Sequence, residues 1–220
     1  MRNKNLLIMG ASGGVGQWAV KMAKERGYNV TVVVRSKASI ETIEGINVIE
    51  GSVLDSDVLE KAMKGQDAVI SCLGIKRKNQ KNPWSAITSP PDFTEMVVKK
   101  TVAIMERQGI ERFVAISAAG VGDSQGKVNA FMNFMIRSSN VRIAFDDYDK
   151  MEKIFLKSNI DSLAVRPVGF VEGQPTNDAK IVDRFKMSSK ISKSDVAKWM
   201  IDALEREAPF KTPSEMIGWS

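Results

Sequence analysis

A run of glycines near the N-terminus constrains the fold of this 220-residue chain more than any other feature. The run is Gly10-Ala-Ser-Gly-Gly-Val-Gly16; an apolar segment, Asn5–Met9, precedes it, and apolar residues at helical spacing follow it. A second apolar segment, Val30–Val34, comes after Gly27. Strand, glycine-rich turn, helix and strand within about 30 residues predict the first unit of a dinucleotide-binding fold.

The glycines of the repeat follow the spacing G-x-x-G-x-x-G. In such a turn one glycine makes the tight bend, one lets a diphosphate approach bare backbone, and one lets the helix pack closely on the strand. The predicted phosphate-binding residues are Gly10, Ser12, Gly13, Gly14, Val15 and Gly16.

The end of the second predicted strand indicates which dinucleotide binds. An NAD site usually has an Asp or Glu about 20 residues beyond the glycines. Here no acid lies between Gly27 and Ile40, and Arg35, Ser36 and Lys37 follow the strand instead. A guanidinium binds a ribose 2′-phosphate, whereas a carboxylate repels it. We predict NADP(H), with Arg35 and Ser36 at the 2′-phosphate; alternatively, Arg35 and Lys37 are only a solvated strand end.

Length and composition favour one large α/β domain over residues 1–220, in which 167–220 form a small substrate-side part. Hydrophobic residues make up 43% of the chain and charged residues 26%, which suits a globular core. No apolar run approaches a membrane span. The single cysteine excludes an intramolecular disulfide and suits a reducing compartment. We expect a cytoplasmic protein without a membrane partner, as a monomer or small homo-oligomer.

The chain contains no histidine. This excludes a Ser-His-Asp triad, a Cys-His dyad and histidine-ligated zinc. Because there is also only one cysteine, a thiolate metal cluster is excluded and we predict no metal site.

The formal charge of +6 raises the question of nucleic-acid binding. The densest basic run of the chain, Lys76–Lys81, is interpreted either as a phosphate-contacting patch or as a solvated loop that adds positive potential near an anionic cofactor. Only Trp84 accompanies it as an aromatic, and no nucleic-acid motif is recognisable. We favour the solvated loop and expect no nucleic-acid partner.

Apolar segments and helical patterns alternate along the rest of the chain. Further strands are predicted at 47–50, 67–73, 112–117, 162–165 and 181–185, and helices at 55–63, 92–108, 127–138, 146–158 and 194–205, with a long loop at 75–91. This alternation predicts a Rossmann-like α/β fold with a parallel, doubly wound sheet.

Ligands of such sheets bind beyond the carboxyl ends of the strands. By that rule the further cofactor-binding candidates are Val53, Leu54, Asp55, Cys72, Leu73, Gly74, Ser117, Pro167 and Val168. The substrate-side candidates are Trp84, Ala118, Phe131 and Phe170.

Short-chain reductases of alcohols and ketones usually carry Tyr-x-x-x-Lys, in which the tyrosine transfers the proton. This dyad is absent, because Val32 stands four residues after Tyr28 and Glu152 four residues after Tyr148. Ser117 is therefore the first candidate to orient the nicotinamide or a substrate oxygen; alternatively, its hydroxyl satisfies nearby backbone. Tyr148 is a secondary catalytic candidate, although an exposed helix face explains it equally well.

An apolar stripe at helical spacing lies in the predicted helix 127–138. Its members are Val128, Phe131, Met132, Met135 and Ile136. Such a stripe usually packs against the body of a protein. The alternative is a lid over a flat aromatic substrate.

Five segments resemble the atypical short-chain dehydrogenase/reductase superfamily, in particular its NmrA-like members and the biliverdin reductase B/flavin reductase group. The segments are Gly10–Gly16, Val33–Ser36, Gly51–Asp55, Asp146–Lys153 and Ile191–Asp195. The last two are more particular to this group than the first, and the resemblance covers nearly the whole chain.

The resemblance implies an NADPH-dependent reductase of a flavin, a quinone or a similar planar acceptor, with the nicotinamide near Ser117. Hydride transfer to such an acceptor depends on positioning, since solvent can supply the proton. Two other functions stay open: an NmrA-like sensor that binds NADP(H) without catalysis, and a sugar-nucleotide epimerase or dehydratase. The missing dyad and the small C-terminal part argue against the latter.

Overall fold

The structure is a computed structural model that describes residues 4–39 and 44–219. Ile40, the limit of the acid-free segment, lies outside these residues. The described strands are β1 (Asn5–Met9), β2 (Asn29–Val34), β3 (Asn47–Glu50), β4 (Ala68–Ser71), β5 (Arg112–Ile116), β6 (Asp161–Pro167), β7 (Gly169–Val171), β8 (Lys180–Ile181), β9 (Lys190–Ser192) and β10 (Ser214–Gly218). The described helices are α1 (Gly14–Glu25), α2 (Ser56–Met63), α3 (Phe93–Gln108), α4 (Ala130–Arg137), α5 (Val141–Lys157) and α6 (Lys193–Leu204).

Eight strands form one sheet in the order β3-β2-β1-β4-β5-β6-β10-β8, and β7 pairs with β9 in a separate small sheet. Neighbours in the large sheet run parallel, except that β8 is antiparallel to β10. Leu7 of β1 is in register with Thr31 on one side and Val69 on the other. The chain thus winds outward from β1 in both directions, which places a switch point between β1 and β4. The predicted fold class is confirmed.

Strand β1 is apolar throughout because its side chains alternate between two buried cores. Leu6 and Ile8 pack in the core that contains residues of α1 and α6. Leu7 and Met9 pack in the core that contains residues of α2, α3 and α5. In the described part of the chain, helices therefore cover both faces of the sheet, and the carboxyl ends of the strands are left for a ligand.

Two helices differ from the sequence prediction at their N-terminal ends. Residues 122–127 form a 3₁₀ turn, so α4 begins at Ala130 after its cap Asn129, whose side chain accepts a hydrogen bond from Met132 N (2.9 Å). Helix α5 begins at Val141 and not at 146, directly after Asn140. The side chain of Asn140 donates to the carbonyl oxygen of Trp84 (2.9 Å). A contact with a distant loop therefore fixes this helix start.

The predicted strand 181–185 was wrong in its extent. Only Lys180 and Ile181 are strand residues, and Ile181 pairs with Ile217 at the edge of the sheet. The chain then leaves the sheet, and Phe185 forms an isolated bridge with Val128 ahead of α4. Among the described residues, no helix combines the length and the apolar character needed to cross a bilayer.

Candidate functional site

A cleft of about 430 Å³ opens at the carboxyl ends of the central strands. It contains these predicted cofactor residues: Gly10, Ser12, Gly13, Arg35, Val53, Leu54, Cys72, Leu73 and Gly74. It is also lined by Val33, Val34, Gly51 and Ser52, which belong to segments that carry the family resemblance, by Lys76, Thr88, Ser89 and Pro90 of the long loop 75–91, and by Phe93. Arg35 and Lys76 are its charged residues, and no acidic side chain lines this described cleft. The charge suits a phosphorylated ligand.

The glycine-rich turn between β1 and α1 leaves no room for side chains at two of its positions. A Cβ atom on Gly10, which has a φ of +81°, would lie 2.8 Å from the carbonyl oxygen of Cys72. A Cβ atom on Gly16 would lie 2.1 Å from the carbonyl oxygen of Gly10. The turn therefore packs directly against the end of β4, and only glycine fits there.

Helix α1 begins without a cap of its own. Its N-cap residue is Gly13, no side chain caps the first turn, and the first turn has no acidic residue. The first N–H groups of a helix have no partner within the helix, and the helix dipole makes this end positive. A diphosphate fits this end of α1, since its oxygens accept hydrogen bonds from those N–H groups.

The opposite part of the cleft follows β2 and β3. Arg35 is exposed and comes directly after β2, while Val53 and Leu54 lie in the turn after β3. Asp55, predicted as a cofactor residue, is not among the residues that line the cleft. It caps α2, because its carboxylate accepts a hydrogen bond from Asp57 N (2.9 Å). Ser36 is exposed beside Arg35.

Phe93 enters the cleft from the first turn of α3. That turn is held by Asp147 of α5, a buried carboxylate that accepts hydrogen bonds from Thr94 N (2.8 Å) and Glu95 N (2.9 Å). Burial raises the pKa of Asp147, although these hydrogen bonds oppose the shift. Helix α5 thus positions one wall of the cleft.

Ser117 lies in a different environment, beyond the end of β5. It is buried, and its hydroxyl donates to Oε1 of Glu152 (2.6 Å). Glu152 also accepts from Arg166 Nε (2.9 Å), and Arg166 Nη1 donates to Asp123 (2.6 Å). Burial alone lowers the pKa of Arg166, but its contacts with both carboxylates outweigh burial and raise it. The contact with Arg166 lowers the pKa of Asp123.

The ends of β5 and β6 are joined by backbone hydrogen bonds around Ser117. Ser117 N donates to the carbonyl oxygen of Val165 (2.7 Å), and Ala119 N donates to that of Pro167 (3.1 Å). Pro167 and Val168, both predicted at the cofactor, are buried here. Ser117 is therefore fixed both by its backbone and by the Glu152 carboxylate.

Tyr148 lies against the end of β4. Its hydroxyl donates to the carbonyl oxygen of Leu73 over 3.4 Å, and a Cβ atom on Gly74 would lie 2.5 Å from that hydroxyl. Burial raises the pKa of Tyr148 well above its usual value, and the negative charge of Asp147 adds to the shift. Burial also raises the pKa of the Cys72 thiol to about 12. Neither group ionises readily near neutral pH.

The predicted substrate residues lie outside the described cleft. Trp84 is 53% exposed, and its indole N–H donates to the carbonyl oxygen of Ser138 (3.1 Å), which ties the long loop 75–91 to the end of α4. Phe131 of α4 and Phe170 of β7 are 60% and 48% exposed. Ala118 is partly buried beside Ser117.

The apolar stripe of α4 is divided between packing and exposure. Val128 is buried, and Met132 and Ile136 pack against the core, whereas Phe131 faces solvent. A Cβ atom on Gly120 would lie 2.8 Å from Cγ2 of Val128, so this segment covers the loop that follows β5. The packing interpretation holds for three of the five residues of the stripe, Val128, Met132 and Ile136, and the lid stays a hypothesis.

The pairing of Glu152 with Arg166 was not predicted from the sequence. The signal was the position of Glu152 four residues after Tyr148, where the dyad has its lysine. Within residues 4–39 and 44–219, there is no group of three or more cysteine or acidic side chains that could hold a metal ion.

Comparison with known protein families gives one match over most of the chain. Residues 10–207 match the model of a family described as NAD(P)H-binding. The chain is also 30% identical over 128 residues to the chloroplastic divinyl chlorophyllide a 8-vinyl-reductase of Arabidopsis thaliana. The aligned region covers 52% of this chain and 29% of that protein. The chain thus spans less than a third of that relative.

Two solved structures share the whole fold. ChuY, an anaerobilin reductase from Escherichia coli, superposes with a TM-score of 0.76 at 21% identity, covering 97% of this chain and 96% of its own. A short-chain dehydrogenase/reductase from Veillonella parvula, solved with NADP, has a TM-score of 0.77 at 18% identity, covering 98% of this chain and 94% of its own. These structures confirm the predicted fold, and the family match confirms the predicted membership of an NAD(P)H-binding group. The predicted cofactor is confirmed through the family.

Proposed function

This chain belongs to the NAD(P)H-binding family, and we propose that it is an NADPH-dependent reductase of a planar, conjugated acceptor. One observation carries the proposal: the position of the usual lysine is taken by Glu152, whose carboxylate is held by Ser117 and Arg166. Tyr148 therefore has no lysine at the dyad position to lower its pKa, and burial and the charge of Asp147 raise that pKa instead. A conjugated acceptor needs no such acid, because its added charge is delocalised.

The residues of the cleft support the binding of NADPH. The glycine-rich turn Gly10–Gly16 would hold the diphosphate on the first N–H groups of α1, and Arg35 would bind the 2′-phosphate through charge-assisted hydrogen bonds. Val53 and Leu54 offer an apolar surface for the adenine. When bound, NADPH supplies the hydride, and the acceptor takes a proton from solvent.

Ser117 would act by positioning. Its own proton is committed to Glu152, so its oxygen is left to accept a hydrogen bond from an amide N–H of the kind that a nicotinamide carboxamide presents. Since Arg166 and Asp123 hold Glu152 in turn, the orientation of Ser117 is set before the cofactor binds. Alignment of this kind contributes to the rate without proton transfer by the protein.

Tetrapyrroles are our first choice of acceptor. The Arabidopsis relative and ChuY are both named as reductases of tetrapyrroles, a chlorophyllide and an anaerobilin. Exposed aromatic residues on the substrate side, Phe131 and Phe170, suit a flat apolar ring system. Flavins and quinones share this planar, conjugated chemistry and remain the alternatives.

The test is a comparison of acceptors with purified protein and NADPH under anaerobic conditions. Linear tetrapyrroles, flavins and quinones are compared with simple aldehydes, and NADPH oxidation is followed by its absorbance. We expect turnover with at least one planar acceptor and none with aldehydes. Preferred turnover of aldehydes would overturn the proposal. Tight binding of NADPH without turnover of any acceptor would replace it with the redox-sensor function.

A further inference from the structure

A lysine from the far end of the chain lies against the glycine-rich turn. A Cβ atom on Gly14, the first residue of α1, would lie 2.6 Å from Cδ and 3.0 Å from Nζ of Lys193. Lys193 is itself the first residue of α6, which packs beside α1 in the same core. The side chain of Lys193 therefore occupies the space over Gly14, and its ammonium lies beside the first turn of α1.

This position is electrostatically unfavourable for a cation on its own. The N-terminal end of a helix carries a partial positive charge, and Lys193 lies at the start of α6 as well as beside the start of α1. In the structure Glu172, after β7, pairs with the ammonium of Lys193. The Glu172 side chain is 79% exposed, so the pair contributes little to stability. An anion with more charge would bind the same ammonium more strongly.

The backbone that carries Lys193 is held rigidly. Ser192 caps α6 by accepting from Asp195 N (3.0 Å), and Ser194 Oγ donates to the carbonyl oxygen of Gly173 (2.8 Å). Asp195 accepts hydrogen bonds from the backbone N–H and the hydroxyl of Thr176 (both 2.9 Å). The loop that follows Glu172 is thus fastened to α6, while the Glu172 side chain itself is exposed to solvent.

We infer that Lys193 is a diphosphate-binding residue of the cofactor site and that Glu172 holds its ammonium until the cofactor binds. The diphosphate of a dinucleotide would meet the first N–H groups of α1 and the Lys193 ammonium together, and it would displace Glu172. The inference rests on the proposed position of the diphosphate at Gly10–Gly16. It does not depend on which acceptor is reduced.

The test measures the dissociation constants of NADPH and NADH by fluorescence titration without any acceptor. Lys193→Met keeps the aliphatic stem over Gly14 and removes the charge, and we expect it to weaken both cofactors about 10-fold. Glu172→Gln removes the competing anion and should tighten both about 2–5-fold, because the ammonium is no longer neutralised. Lys198→Met, on the same helix and paired with Asp202, is the matched control and should change neither constant.

The two variants are expected to change cofactor affinity in opposite directions, and this distinguishes a binding role of the pair from a structural one. If Lys193→Met and Glu172→Gln weaken cofactor binding equally, the pair only stabilises the loop. If Lys193→Met leaves cofactor binding unchanged, only the aliphatic stem of the lysine matters. Either result overturns the inference. A loss confined to NADPH would overturn the diphosphate assignment. Glu172→Gln tests the inference by itself if Lys193→Met does not fold. Retained binding in folded Gly13→Val would instead refute the proposed position of the diphosphate.

Discussion

Replacing Tyr148 with phenylalanine tests whether this site uses an acid of its own. The tyrosine stands where short-chain reductases with a Tyr-x-x-x-Lys dyad have their proton donor, but the fourth residue after it is Glu152. Burial and nearby negative charge raise its pKa, so at neutral pH it is a weaker acid than a free tyrosine. We expect Tyr148→Phe to keep most of the turnover.

The magnitude follows from the contact that is lost. The Tyr148 hydroxyl makes a long hydrogen bond of 3.4 Å to the carbonyl oxygen of Leu73. Such a bond contributes at most about 1 kcal/mol, which corresponds to a change of less than about 5-fold. If the tyrosine donated the proton, its replacement would instead lower the rate about 10²–10⁴-fold. The two mechanisms therefore predict clearly different results.

The assay is kcat/KM with NADPH and a planar acceptor, with circular dichroism as the control for folding. Ser117→Ala is the comparison variant, and we expect it to lower kcat/KM about 10-fold because the nicotinamide is less well aligned. A collapse of turnover in Tyr148→Phe together with an unaffected Ser117→Ala would contradict a mechanism based on positioning. It would point to carbonyl reduction.

Three further predictions concern the cofactor and the fold. Arg35→Ala should weaken the binding of NADPH by about 1–3 kcal/mol and leave the binding of NADH little changed, since only NADPH has the 2′-phosphate. Equal losses of affinity for the two cofactors in a titration would contradict the assignment of Arg35 to the 2′-phosphate. Gly13→Val should abolish cofactor binding in a folded protein, because the branched side chain blocks the approach of the diphosphate; calorimetry and circular dichroism measure both. Burial alone raises the pKa of Asp195, but hydrogen bonds from Trp219 and Ser192 outweigh burial and hold the pKa below the ordinary 3.8. The ionised Asp195 carboxylate therefore stabilises the fold fully above pH 3.8, and this stabilisation is lost as the pH falls through the lowered pKa of the folded protein. Asp195→Asn should therefore cost about 1–3 kcal/mol at pH 7 and less near pH 2, as measured by urea unfolding; an equal cost at both would contradict it.

The first unit of the fold was predictable because its signals are local. Strand, turn, helix and strand follow one another between Asn5 and Val34, and the glycine spacing reflects contacts inside the turn. By contrast, the strand Ser214–Gly218 was missed. It is short and carries few apolar residues, and it is a strand because it pairs with β6.

The candidate site was predictable where strand ends supply it and not where distant segments do. Arg35, Val53 and Leu73 follow from the rule that ligands bind at the carboxyl ends of strands. Phe93 enters the cleft from the start of α3, and Lys193 lies over Gly14 from the start of α6, so both positions depend on tertiary packing. No spacing in the sequence connects them to the glycines.

The reaction that we propose for this chain is the reduction of a conjugated acceptor by hydride from NADPH. The direct measurement uses NADPH deuterated at the transferable position of the nicotinamide, a linear tetrapyrrole as acceptor, and mass spectrometry of the product. We expect a reduced product that carries deuterium on carbon, formed faster with NADPH than with NADH. A bound cofactor that stays unoxidised, or a reduced product without deuterium, would contradict it.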